Sequence, residues 1–203
     1  MGRGDTLPAR ESARDRIHRV AARLYALRGF EGTSIREIAE GAGVTKPLVH
    51  YHFESKERLF GTLLSEALDR CRLEAAGIVC REAGAGARLR ALIGALVREA
   101  RQSPEIVCFA LQVLTMAKHL PLGFDYKARG RDLFDMYVRV IAEGQSHGEF
   151  RPEANARYAA SVAIGTIDFI TKAVLSGELD AIPVDMEEFV SDMLQRGLEA
   201  RAS

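Results

Sequence analysis

The stretch that most constrains this chain is residues 33–56, where two short helix-forming runs flank Ala42-Gly43-Val44. Ser34 and Glu37 have capping-box spacing: the hydroxyl takes one free backbone N–H and the carboxylate reaches back to another. A short helix therefore opens around Thr33–Ile35 and ends near Gly41. Thr45 is expected to cap the next one, Lys46 to about Phe53, with Pro47 in its first turn, where a missing N–H costs little. Ala39 is small where the two helices must approach, and Gly43 can take the positive φ that a sharp turn between helices often needs. Ile38, Val44 and Val49 are spaced to fill the wedge between them. This is the spacing of a helix-turn-helix, whose second helix enters the major groove of DNA.

The rest of the chain is expected to be all-α. Apolar positions recur at helical spacing, and no alternating run is bounded by hairpin dipeptides. Residues 1–10 form an N-terminal arm. The first helix starts near Ser12, with Asp15 in its first turn and an apolar stripe at Ile17, Val20, Ala21, Leu24 and Leu27. Gly29 is its expected left-handed cap, followed by Phe30. Ser55 caps a fourth, long helix to about Cys80. Gly84-Ala85-Gly86-Ala87 breaks the pattern, and further helices are expected at about 88–102, 104–119, 125–147, 153–177 and 185–201. The predicted organisation is an arm at 1–10, a helix-turn-helix DNA-binding domain at 11–56, and a helical ligand-binding and dimerisation domain at 57–203.

Charge supports a division of labour. The chain carries 28 Lys+Arg and 28 Asp+Glu, which excludes a wholly basic nucleic-acid coat protein. Residues 1–58 hold 11 basic and 8 acidic side chains, a net of +3 that the remainder offsets. A positive head on a negative body fits DNA reading coupled to another task. The longest uncharged run, residues 106–117, has 12 residues, short of the roughly 20 a bilayer span needs. No apolar segment marks the N-terminus as a signal peptide. Three cysteines and no C-x-x-C fit a reduced cytoplasmic protein better than a disulfide framework. The chain lacks G-x-S-x-G, the P-loop, H-E-x-x-H and G-x-G-x-x-G, so no enzyme and no cofactor is expected. His50 and His52 lie about 200° apart around a helix and cannot easily share a metal ion.

The polar side chains of the second short helix suit DNA. Thr45, Lys46, His50, Tyr51 and His52 are compact groups on an exposed helix. The helix starts at Thr33-Ser34 and Ser55-Lys56 offer free N–H groups to phosphate. The run from Thr33 to Phe60, T-S-I-R-E-I-A-E-G-A-G-V-T-K-P-L-V-H-Y-H-F-E-S-K-E-R-L-F, resembles the tetracycline-repressor (TetR) family of bacterial regulators. The preceding helix, with Ala22, Leu24, Tyr25, Gly29 and Phe30, also fits. The resemblance covers about residues 14–60, and H-F-x-S-K-E-x-L from His52 to Leu59 makes it specific. It implies that Ser34 and Arg36 meet phosphate and sometimes a base edge. It implies further that Thr45, Lys46, Pro47 and Leu48 meet bases, that His50, Tyr51 and His52 contact phosphate and groove edges, and that Lys56 grips phosphate. His50 stands where the family usually has Tyr, and Pro47 and Leu48 replace its usual small polar pair.

The function expected is that of a dimeric repressor, released from a palindromic operator in double-stranded DNA by a small, hydrophobic effector. The alternative is a helical ligand-binding or interaction module with a degenerate head. Phe109, Gln112, Met116, Tyr137, Phe169 and Lys172 are the candidate effector contacts. Asp168 and Lys172 can pair at i, i+4. The resemblance places a homodimer seam on the last two long helices, at Ala159, Val162, Ala163, Thr166 and Ile170 and at Phe189, Val190, Met193 and Leu194.

Overall fold

The computed structural model describes residues 11–115 and 125–199, and they form nine α-helices. Ser12 starts the first, α1 (Ala13–Arg28), by accepting from the N–H of Asp15. Glu37 and Ser34 form the reciprocal capping box at α2 (Ile35–Ala42). Gly43 ends it at φ 63°, ψ 41°, the left-handed conformation that costs a β-carbon dearly. Its N–H and that of Val44 close the turn onto Glu40 and Ala39. Next comes α3 (Lys46–Phe53). Ile38, Ala39 and Val49 are buried in the wedge and Val44 is half-buried.

Ser55 caps α4 (Lys56–Arg81), the longest helix. It is followed by α5 (Ala85–Gln102), α6 (Pro104–Thr115), α7 (Tyr126–Ser146), α8 (Ala156–Ser176) and α9 (Met186–Leu198). The helix expected at 88 starts three residues earlier. The Glu149 carboxylate, arriving from beyond α7, accepts from the N–H groups of Ala85 and Gly86 at 3.1 and 3.0 Å. These bonds hold Glu149 below the usual carboxylate range.

Two apolar clusters organise the fold. One joins α1, α2 and α3 to the first half of α4 and to Cys108, Phe109, Ala110 and Val113 of α6. The other lies among α5, α7, α8 and α9. In the first, Tyr25, Phe60 and Phe109 form mutual ring contacts at 4.8–5.7 Å between centroids. Tyr25 and Phe60 also contact Phe30. Helix α1 therefore turns more of its surface inward than its predicted stripe. Ala22, Tyr25 and Ala26 are buried, while Leu27 is 49% exposed. One further helix property was not anticipated: α8 is long and apolar enough to cross a membrane by length and composition. Here it packs on α5, α6, α7 and α9, and it carries Arg157, Asp168 and Lys172.

Candidate DNA-reading surface and effector cavity

On α3 the sequence folds so that Val49 and Phe53 point into the core and Thr45, Lys46, Pro47, His50 and Tyr51 point out. Tyr51 is 81% exposed, far more than a tyrosine needs for folding. Thr45 makes no capping hydrogen bond with its side chain, contrary to expectation. Leu48 and His52 are half-buried. His50 turns its Nδ1 to the carbonyl of Glu54, 2.9 Å away. At the start of α2, Ser34 is exposed and donates to Glu37 Oε2 at 2.7 Å, and Arg36 is exposed 3.8 Å from Glu40. At the start of α4, Lys56 Nζ lies 4.1 Å from the centroid of the Phe30 ring, a cation–π contact that positions its stem. Thr33 is the exception. It is 2% exposed and its hydroxyl donates to the Gly29 carbonyl at 2.9 Å. Its side chain braces the turn from α1 to α2 and is not part of the surface.

Arg14 and His18 were missed by the sequence reading. Arg14 pairs with Glu66 of α4 at 2.7 Å and reaches over the Phe53 ring. His18 is buried against Phe53, with Nδ1 3.5 Å from Glu66. Burial, outweighing Glu66, lowers its pKa. Together they tie the C-terminal end of α3 to α1 and α4. No local periodicity reveals this, because the contacts span three helices.

Above this head, α4, α5, α6 and α7, with Ile164 of α8, enclose a cavity of about 340 Å³. Its wall is mainly apolar, with Leu68, Ala75, Leu92, Leu96, Val107, Ala110, Leu111, Leu114, Leu133 and Phe134. Gly130 brings α7 against α6, and a β-carbon there would overlap Leu114. The charged lining groups are Glu74, Glu99, Lys127 and Arg131. Glu74 pairs with Arg98 at 3.5 Å, Glu99 with Arg70 at 2.9 Å and Arg131 with Asp125 at 3.9 Å. Tyr137 lines the cavity as well, and its hydroxyl donates to the Leu92 carbonyl at 3.1 Å. Burial pushes the Tyr137 phenol up and the Cys71 thiol up to about 11.

The other expected effector contacts lie elsewhere. Phe109 is buried in the aromatic cluster with α1 and α4, on the face of α6 that turns away from the cavity. Gln112, Phe169 and Lys172 border a separate, open cleft beside the end of α1, with Leu27 and Cys108. Lys172 and Asp168 do pair there, at 2.5 Å. Met116 lies outside the described residues. The signal that was available is the stripe Lys127, Gly130, Arg131, Phe134 and Tyr137 on α7, with a glycine inside a helix at its centre.

Residues 17–63 match the model of bacterial regulatory proteins of the tetR family. The repressor KstR2 of Mycolicibacterium smegmatis is 28% identical over 150 residues, 73% of each chain. Residues 17–63 therefore carry a DNA-binding head of the tetR type, and the chain is similar over most of its length to TetR-type transcriptional repressors. The TetR fold extends over nearly its whole length. The structure of the ketosteroid regulator KstR2 of Mycobacterium tuberculosis superposes with a TM-score of 0.77 at 23% identity, over 95% of this chain and 97% of that one. AibR, solved with isovaleryl coenzyme A and operator DNA, superposes with a TM-score of 0.70 at 23% identity, over 93% and 98%. At these identities the superpositions establish the fold, and the site must be argued from this chain's residues.

Proposed function

We propose that this chain is a dimeric repressor, released from a palindromic operator by a ligand whose apolar body enters the cavity between α4 and α7. The observation that carries this is the two-sided use of α6. Val107 and Leu111 face the cavity, Cys108, Phe109 and Val113 pack into the cluster that holds α1, and Ile106, Ala110 and Leu114 touch both. A ligand that displaces α6 therefore displaces α1 and the helices seated on it. Coupling of this kind is worth about 1–3 kcal/mol, or 5–150-fold in affinity. An acyl thioester of coenzyme A suits the apolar wall, and AibR supplies the precedent of an acyl-coenzyme A bound together with operator DNA. In this reading α1 to α3 read DNA, α4 to α9 bind ligand and partner, and the chain works in the cytoplasm by binding rather than turnover.

The dimer is supported by an apolar face on α8 and α9. Tyr158, Val162, Phe169, Phe189 and Met193 are each more than half exposed. Nothing lies over Gly165 or Gly197, so neighbouring helices can approach closely there. Three of the positions expected at the seam, Ala163, Val190 and Leu194, are instead buried within their own protomer. Two heads double the base contacts, and each good bidentate contact discriminates by about 1–3 kcal/mol.

The test is fluorescence anisotropy on an operator recovered by selection, titrated with acyl-coenzyme A thioesters of graded chain length. Release by a subset of chain lengths, with free coenzyme A inert, is the expected result. If none of them changes operator affinity, the ligand class assigned here is wrong.

A further inference from the structure

The polar groups on the cavity wall are sorted by hydrogen-bonding type. Lys127 and Arg131 stand one helical turn apart at the start of α7, and both line the cavity. Ammonium and guanidinium groups only donate. Arg131 is loosely held, 3.9 Å from Asp125, with both side chains more than half exposed. Tyr137 lies about 9 Å further along the axis of the same helix, and there the chemistry is reversed. Its hydroxyl donates its proton to the Leu92 carbonyl at 3.1 Å, which leaves the oxygen as an acceptor. Burial, with the charges of Cys71 and Glu74 acting on it, raises its pKa. The charge of Glu99 acts in turn on Cys71. One region of the cavity therefore offers donors and the other offers acceptors.

Of the two carboxylates, Glu99 is the buried one, with a side chain 14% exposed against 41% for Glu74. Its Oε1 lies 2.9 Å from Arg70 Nη2, but the approach lacks the alignment of a hydrogen bond. That buried oxygen has no hydrogen-bond partner among the described residues. Such an orphan is costly in a folded chain and calls for a donor. Leu92 and Leu96 share its face of α5 and line the cavity too, so the carboxylate interrupts an otherwise apolar stripe.

We propose that the effector carries an anionic group read by Lys127 and Arg131 and, on its apolar body, a hydroxyl read by Glu99, which makes Glu99 the residue that selects a hydroxylated acyl group over a plain one. The inference rests on the cavity being the effector site. The hydroxyl donates to Oε1, and a carboxylate acceptor makes that bond charge-assisted. A plain acyl chain leaves Oε1 unpartnered and gains nothing from Glu99. The rise from Arg131 to Tyr137 sets the hydroxyl well down the chain from the anionic group.

The experiment titrates the full chain with matched pairs of plain and terminally hydroxylated acyl probes of graded chain length. Each is offered as the coenzyme A thioester and as the free acid, and Tm and release from a selected operator are read. At a chain length that spans the two regions, the hydroxylated probe should bind roughly tenfold tighter than its plain partner, the size of one hydrogen bond to a charged group. Preference in either arm supports the inference, and the arm in which it appears identifies the anion. Glu99→Leu should abolish the preference, and Glu99→Gln, whose amide oxygen still accepts, should keep part of it. Arg70→Ala breaks the ion pair but leaves the carboxylate, so it should lower Tm and keep the preference. If Glu99 merely tied α4 to α5, all three variants would shift Tm and none the preference. Arg131→Ala should weaken plain and hydroxylated probes alike. A wild type that binds both members of every pair equally, or a Glu99→Leu variant that keeps the preference, overturns the inference and leaves the cavity as the effector site. No response to any probe in either form overturns the ligand class of the proposed function, and this inference with it.

Discussion

In α1–α3 the groups proposed to meet DNA are neighbours in sequence and point outward; in α4–α8 the groups that line the cavity come from five helices and point inward. Thr45 to Tyr51 fit within two turns of one helix, whereas the cavity takes residues from Ala67 to Ile164. A surface that must present side chains to DNA needs only local structure: a cap, a turn and a short helix. A cavity needs helices to be held apart at fixed distances, and that is a property of packing. Helix α6 belongs to both plans, with one face in the aromatic cluster under α1 and the other on the cavity wall.

This contrast can be broken at α6 itself, where the largest effect is expected. Phe109→Ala removes a ring that is 1% exposed and touches Tyr25 and Phe60. It should cost about 3–5 kcal/mol in urea unfolding, with α1–α3 and the rest of the chain still unfolding in one transition. Two separate transitions would show that the regions are not joined through α6. Next in size, Leu111→Phe pushes a ring towards the cavity from the other face. It should cost about 1–3 kcal/mol of stability and leave ligand-free DNA binding intact, while the ligand concentration needed for release rises roughly tenfold. Equal release in the variant would place the ligand elsewhere.

Lys56→Ala sharpens the outward side of the comparison. It should weaken binding to all sequences alike and make the salt dependence shallower by about one unit per head. A loss confined to one operator sequence would make Lys56 a base reader instead. The smallest effect concerns His18. Its pKa is lowered mainly by burial, so the unfolded chain takes up the proton first and stability is lost as pH falls through the ordinary histidine range. His18→Leu should flatten the fall of Tm between about pH 7 and pH 5 by a few degrees at most. An unchanged slope would mean that the buried ring does not control acid stability.

How much could be read in advance follows the same division. The capping box of Ser34 and Glu37, the cap at Ser55 and the left-handed Gly43 are local, and the three-helix head was legible from them. Thr33 and Thr45 were misjudged because both are helix-start residues of the same type. What separates them is tertiary: the carbonyl of Gly29 lies within reach of one hydroxyl, and the other makes no capping bond. The early start of α5 depends on a carboxylate 64 residues away, which no window around residue 85 contains. Of the effector contacts expected from sequence and described in the structure, Tyr137 reached the cavity. A helix face read in isolation does not say which of two packed neighbours it meets, and Phe109 met α1 rather than the cavity.

The most direct test of the central claim is selection of DNA from a random library by the full chain at about 0.15 M salt. The account predicts a palindromic motif whose half-sites lie about one helical turn apart, roughly 34–36 Å, the geometry of two heads on one dimer. Lys46→Ala should relax that motif at one position in each half. A library that emerges without enrichment, or with a motif that survives Lys46→Ala and Tyr51→Ala unchanged, would contradict it.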